Sequence, residues 1–382
     1  MWVKQLNQSL ITDGSGSVPD MPGSPDLVFV FGETQALKSG STLATLKKLF
    51  PDAIQLGCST GTIIDHVSLD DEGVTALAVG FDNTRIALHV EPLPNLSHSH
   101  DAGLKLGQGV NAPDLAGIFV LSDGLGVNGS ALVHGLQSVL GNHAVISGGL
   151  AGDGARFDHT LVAINGEPVS GVVAALGFYG DAIRIAHGSA GGWDEFGPKR
   201  RVTKSEGSIL FELDGKPALD LYQSYLGDEA AQLPASGLLY PLKIWDEANP
   251  QDQFVRTILA VDHDAKSITL AGDIPEGWNA RLMRGSFDHL VDGATEAARH
   301  AHGMLAKSGV EPELCLFVSC VGRRLLMGQQ TEDEVEAVSD VLGSGTPIIG
   351  YYSYGEIAPH NASNICGLHN QTVTLTLLAE AA

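Results

Sequence analysis

The chain is short of basic residues, cysteines and long apolar runs, and each shortage narrows the reading. Only 22 of its 382 residues are lysine or arginine against 45 aspartate or glutamate, a formal net charge of −23. A surface that negative repels phosphate backbones and anionic lipid, which argues against nucleic acid or a membrane as partner. The four cysteines, Cys58, Cys315, Cys320 and Cys366, form no Cys-x-x-Cys pair and no dense framework. They read as reduced, mostly buried thiols of a cytoplasmic protein. No apolar run approaches the ~20 residues that cross a bilayer. The start of the chain lacks the basic-then-apolar build of a signal peptide. A Walker A loop is missing, as is a Gly-x-Gly-x-x-Gly between a strand and a helix.

Glycine is what the chain has in excess: 47 residues, about 12% against roughly 7% in average proteins. It follows no three-residue period, which excludes collagen. The length calls for two or three packed units. Residues 13–25, rich in Gly, Ser and Pro, read as a flexible leader or loop. The glycines then punctuate an internal repeat. An apolar run, Leu27-Val28-Phe29-Val30-Phe31-Gly32, precedes a helical stretch and Ala53-Ile54-Gln55-Leu56-Gly57-Cys58-Ser59-Thr60-Gly61. The order recurs from Gly117 to Asp123, closing on Ser147-Gly148-Gly149-Leu150-Ala151-Gly152-Asp153. A third copy starts at Leu314-Cys315-Leu316-Phe317-Val318-Ser319-Cys320 and closes on Gly350-Tyr351-Tyr352-Ser353-Tyr354-Gly355-Glu356. Its helix opens on Thr331-Glu332-Asp333-Glu334, read as a capping box. Each copy is a strand, a helix and a second strand running into a glycine turn. The predicted class is therefore α/β: repeated strand-helix-strand units in mainly parallel sheets with added antiparallel strands, in two domains that divide near 219–226.

Glycine turns just past the carboxyl ends of strands sit where open α/β sheets bind ligands, and glycine lets backbone N–H groups approach closely. Polar residues on the turns, Ser59, Thr60, Asp153, Ser353 and Glu356, favour a site there. Gly57-Cys58-Ser59-Thr60-Gly61 also matches the Gly-x-Ser-x-Gly of a nucleophile elbow. That motif needs a helix directly after it, and Thr62-Ile63-Ile64-Asp65-His66 followed by an acidic stretch and a strand supplies none. A serine hydrolase using Ser59 is the alternative reading. The His-x-His pairs at His98/His100 and His300/His302 sit in a loop and a helical stretch, without a third ligand nearby. His187, after an apolar strand, and His369, before one, are better placed to face a pocket. Lys199-Arg200-Arg201 is a lone basic cluster that offsets neighbouring acids or pairs an anionic ligand.

These motifs resemble those of the FIST sensory family. The resemblance rests on Leu56 to Gly61, Gly148 to Gly154, Val202-Thr203-Lys204 with Glu212-Leu213-Asp214-Gly215-Lys216-Pro217-Ala218, Ser319-Cys320-Val321-Gly322-Arg323, Gly350 to Ile357 and His369-Asn370-Gln371-Thr372. It implies a FIST N-like domain over 27–220 and a FIST C-like domain over 221–382, after a leader over 1–26. It further implies a cytoplasmic signal-transduction sensor rather than an enzyme, one that binds a small molecule such as an amino acid. One branch of the family binds haem and senses nitric oxide, signalling to a separate histidine kinase or cyclic-di-GMP enzyme. No kinase, cyclase or methyl-accepting segment is recognisable in this chain, so a signal is expected to pass to a separate protein. On this reading Cys58, Ser59, Thr60, Gly148, Gly149 and Asp153 line a ligand with Ser319, Arg323, Tyr354 and Glu356. Arg323 would fork onto a carboxylate and Glu356 would accept from an ammonium. Should haem bind, His187 is the expected axial ligand and His369 the second choice, with Lys199 to Arg201 at the propionates.

Overall fold

The computed structural model describes residues 1–233, 235–250, 253–360 and 365–381. All three copies of the repeat form, each around one parallel strand pair. Leu27–Glu33 lies beside Ile54–Thr60, Leu115–Ser122 beside Val145–Leu150, and Leu314–Cys320 beside Ile348–Ser353. The same glycine recurs in each second strand for a steric reason. A Cβ on Gly57, Gly148 or Gly350 would stand 1.5, 2.0 or 1.9 Å from the carbonyl oxygen of Val30, Val120 or Phe317 on the neighbouring strand. Only a residue without a side chain lets the two strands close.

Each pair grows into a six-stranded sheet by antiparallel additions. On one side comes the strand that follows the pair, Val74–Gly80, Val172–Tyr179 or Val373–Glu380, and then an edge strand, Trp2–Gln5, Arg85–Pro92 or Ile183–Ala190. On the other side comes a strand pair borrowed from a different copy. Ile63–Asp65 and Ser68–Asp70, which follow the first copy, extend the third sheet. Val162–Ile164 and Glu167–Val169, after the second copy, extend the first sheet. Glu356–Pro359 and Cys366–His369, after the third copy, extend the second sheet. The three sheets are thus linked in a closed cycle. Their inner faces share one core in which Phe29 meets Phe119 at 5.8 Å and Phe31 stacks on Tyr351 at 4.9 Å. Helices cover the outer faces, Ser41–Leu49 on the first, Ser99–Val110 with Gly129–Leu140 on the second, and Phe287–Lys307 with Thr331–Leu342 on the third.

A fourth, nine-stranded antiparallel sheet runs from Trp193–Glu195 to Asn279–Gly285, inserted within the third copy between Ile183–Ala190 and Phe287–Lys307. It has its own core of Val202, Leu210, Tyr222, Ile244, Ile268 and Leu282. Residues 219–226 fall in helix Ala218–Leu226, which packs into that core, so strands before and after it share one sheet. The expected leader over 1–26 is partly built in. Trp2–Gln5 pairs with Val74–Gly80, and Leu6, Leu10 and Ile11 bury against the first sheet, because the apolar residues ahead of the Gly-Ser stretch give that segment a face to bury. The four cysteines are buried and unpaired. No helix among the described residues is long and apolar enough to cross a membrane.

Candidate functional site

The three glycine turns meet and bond to one another. Ser59 and Gly152 exchange main-chain and side-chain bonds: Gly152 N–H donates to the Ser59 carbonyl, and Ser59 Oγ donates to the Gly152 carbonyl, both at 2.9 Å. Thr60 Oγ1 donates to the Tyr352 carbonyl at 2.9 Å, and Leu150 N–H donates to the Gly355 carbonyl at 2.8 Å. The turns therefore knit the cycle of sheets together at its strand ends. Several expected ligand contacts are used up in doing so. Ser59 also accepts from Leu161 N–H at 2.9 Å and is fully buried. The chain continues into strand Ile63–Asp65 rather than a helix, so the hydroxyl has neither the exposure nor the elbow of a nucleophile. Cys58 is walled into the shared core beside Tyr351, and burial pushes its thiol up. Gly148 and Gly149 are pressed against Val120 and Gly355. Asp153 accepts from the amides of Phe157, Asp158 and His159 at 2.8 to 2.9 Å, and from Tyr354 OH. Burial works to raise its pKa, but those donors outweigh it and hold the carboxyl low.

Arg323 is likewise an internal residue, a correction to its expected role as a ligand clamp. Its Nε donates to Glu334 Oε1 at 2.7 Å, its Nη1 to the Gly191 carbonyl at 2.5 Å and its Nη2 to the Leu290 carbonyl at 2.9 Å. Ser319 and Tyr352 complete the shell of Glu334, donating at 3.1 and 3.0 Å. The expected capping box on Thr331 and Glu334 does not form. Thr331 Oγ1 donates to the Gly328 carbonyl, and Glu334 turns inward because a buried guanidinium needs its charge matched. Breaking such a pair from one side costs about 3–5 kcal/mol. Glu356 is also enclosed, accepting from Ser353 Oγ at 2.6 Å and from Thr372 N–H and Oγ1 at 3.2 and 2.9 Å. Burial raises its pKa to about 8, so near neutrality it is not a free anion for an ammonium.

Beside Gly191 and Thr372, which these groups hold, is a cleft of about 320 Å³ between the nine-stranded sheet and the second and third sheets. Trp193, Lys243, Gln253, Val255 and Met283 line it from the inserted sheet, while Ser189 to Gly192, His360, His369 and Thr372 line it from the body. Arg323 acts on it as a positioning residue through the Gly191 carbonyl, and Glu356 does so through Thr372. Gly192 has to be glycine. Its φ is +69°, and a Cβ would stand 1.8 Å from the His289 carbonyl oxygen. Trp193 Nε1 donates to the Gln371 carbonyl at 2.7 Å and fixes the indole at the wall. Among the described residues, Lys243 is the one formally charged lining group at neutral pH. Its Nζ sits 2.9 Å from Glu195, and burial lowers its pKa. Lys243 and Gln253 are not singled out by the sequence, and Glu334 is given only a capping role there. An alternating strand with one lysine, Leu242-Lys243-Ile244-Trp245, was the available signal for the first.

The histidines expected at haem do not fit an axial role. His187 is buried on strand Ile183–Ala190 beside His300, ring centroids 6.1 Å apart, and does not line this cleft. His369 reaches the cleft, but its ring is wedged between Phe254 and His360, at 5.9 and 4.8 Å, and its Nε2 lies 3.0 Å from the Ala358 carbonyl. Burial, with His360 beside it, drives its pKa down to about 3 and keeps it neutral. An axial histidine needs a nitrogen directed into a slot for the porphyrin; His187 lies outside this cleft, and His369 turns its Nε2 to the Ala358 carbonyl. Lys199 and Arg201 pair with Glu247, and Arg200 pairs with Asp214.

A model of the FIST N domain matches residues 26–216 and one of the FIST C domain matches residues 218–359. An uncharacterized protein of Methanocaldococcus jannaschii is 25% identical over 266 residues, 62% of this chain and 49% of that one. The chain thus spans about half the length of that relative. Among solved structures, a cyanuric acid hydrolase from A. caulinodans aligns over 100% of this chain and 98% of its own, at 12% identity and a TM-score of 0.37, a likeness that carries nothing about chemistry.

Proposed function

The chain belongs to the FIST family, whose domains are sensory, and from that premise we propose that it binds a small carboxylate-bearing metabolite of amino-acid type in the cleft between the nine-stranded sheet and the body. The observation that carries the proposal is the composition of the cleft walls. Among the described residues the one charged lining group, Lys243, is cationic in a protein of net charge −23, and the opposite wall carries Ser189, Thr372 and the backbone of Gly191-Gly192. A carboxylate suits the Lys243 ammonium. The Gln253 side-chain oxygen is an acceptor for an ammonium. A ligand that touches both walls changes how the inserted sheet sits on the body, and this is how binding would reach a separate signalling partner such as a histidine kinase or a cyclic-di-GMP enzyme. The reading makes the protein a cytoplasmic sensor without catalytic turnover at Ser59.

The test is a thermal-shift screen of the proteinogenic amino acids and short carboxylic acids, followed by calorimetric titration of the best compound. Lys243→Met should weaken binding about tenfold or more, the loss of one charge-assisted contact of ~1.5–3 kcal/mol, while circular dichroism stays unchanged. Saturable binding that is equal in wild type, Lys243→Met and Thr372→Val would place the ligand elsewhere.

A further inference from the structure

A second cleft, of about 350 Å³, opens on the far side of the contact between the inserted sheet and strand Cys366–His369. Its chemistry is opposite to that of the first. Four large exposed apolar side chains rim it: Leu96 at 55%, Leu125 at 38%, Phe157 at 47% and Leu259 at 46%. Exposing four such groups around one concavity costs free energy that burial by a ligand recovers. One wall is aromatic, with Phe157 stacked on Tyr354 at 4.5 Å and 12°. Phe157 is held there at some expense. Its φ is +50°, a left-handed conformation that bulky residues rarely adopt, imposed by the Asp153 carboxylate that takes its N–H at 2.8 Å. A strained residue that presents its ring to the mouth of a cavity is a common feature of ligand clamps. Among the described residues the lining has one charged group, Asp273, whose Oδ1 accepts from Asn128 Nδ2 at 3.2 Å.

We propose that this cleft is a second ligand site, taking a small flat apolar molecule that carries an amine or other N–H donor, its body against Phe157 and its donor towards Asp273. A volume of this size at a junction between structural units, mostly apolar with few polar groups, is what small-molecule sites look like. The proposal does not depend on the polar cleft or on what binds there. The two clefts are nonetheless mechanically joined. Arg256 Nε donates to the Asp273 carbonyl at 3.0 Å, and Arg256 Nη1 donates to the Leu368 carbonyl at 2.9 Å, while the adjacent Val255 and His369 line the first cleft.

The test titrates the full chain with N-phenyl-1-naphthylamine, a flat fluorescent N–H donor, and competes it with tryptamine and with indole-3-acetate. We expect saturable binding at one site, displaced by the cationic tryptamine at lower concentration than by the anion. Leu259→Lys should weaken binding about tenfold or more, as burying one leucine is worth ~1.5–3 kcal/mol. Phe157→Gly should also weaken it, without loss of folding because glycine accepts the positive φ. The distant, exposed Val18→Lys should leave it unchanged, and because the probe carries no carboxylate, its failure to bind is distinguishable from failure of the polar-cleft reading. Asp273→Asn should abolish the preference for tryptamine. The proposal falls if binding is absent, or if it is equal in Leu259→Lys, Phe157→Gly and wild type. It also falls if light scattering shows a dimer that Leu259→Lys dissociates, since a second copy would then cover the cleft.

Discussion

Glu356 and His369 are register partners on adjacent antiparallel strands, and burial shifts their protonation in opposite senses. Glu356 moves from an ordinary 4.5 to about 8 in the folded protein. The folded state holds that proton more tightly, so its contribution to stability is complete below about 4.5 and is lost as pH rises towards 8. His369 moves from 6.5 to about 3. Its contribution is complete above 6.5 and is lost as pH falls towards 3. Between about 4.5 and 6.5 the two slopes oppose and largely cancel. From 6.5 to 8 Glu356 acts without that opposition, with a slope of up to about 1.4 kcal/mol per pH unit. Urea midpoints measured from pH 4 to 8.5 should therefore fall above 6.5 in wild type and fall less in Glu356→Gln, while His369→Gln should be less sensitive below 4.5. Curves that stay parallel to wild type in both variants would refute this assignment. Residue types of this kind were visible in the sequence as polar members of the glycine turns and of the His-Asn-Gln-Thr run. Their direction was not, because whether a polar side chain faces a ligand or the protein depends on partners far along the chain. Arg323 reads as a ligand clamp until Glu334, Gly191 and Leu290 are seen around it.

At the scale of elements, the repeat was legible because two physical signals recur together: short apolar runs that must be buried, and a glycine where two parallel strands close. The structure gives that glycine a testable weight. Gly57→Ala, Gly148→Ala and Gly350→Ala each place a methyl within 2.0 Å of a backbone oxygen, and overpacking of this kind costs ~1–3 kcal/mol. Gly148 adds a φ of +133°, so it should be the most sensitive of the three. Gly303, in helix Phe287–Lys307, has open space where a Cβ would stand and should instead tolerate alanine or gain up to ~1 kcal/mol. Thermal melts of the four variants decide the matter, and three neutral strand substitutions would show that the strand pairs are not closed as described. The exchange of strand pairs between copies was not legible. Each borrowed strand is only three or four residues long, too short to show a period of its own, and its partner is chosen by tertiary contact. The same limit hid the inward turn of Glu334, since Thr-Glu-Asp-Glu satisfies the capping pattern equally well on paper.

At the scale of the whole molecule, the sequence conveyed the α/β class and the family resemblance, but not the placement of the nine-stranded sheet inside the third copy. An insertion leaves the flanking repeat signals intact and only lengthens the gap between them. Because Trp193 and Gly285 are paired neighbours, the insertion leaves and re-enters the body at one place. Its contacts with the body carry both clefts, and Phe254 and Arg256 lie between them. On the proposed reading the sensed molecule binds across this junction rather than at the ring of glycine turns. Hydrogen–deuterium exchange with the best compound from the carboxylate screen, present at saturation, distinguishes the two locations. Protection should appear together in residues 189–193, 242–245, 253–256 and 366–372, with 59–62 and 151–155 unchanged. Protection confined to the turn residues, with the junction exchanging as in the free protein, would contradict it.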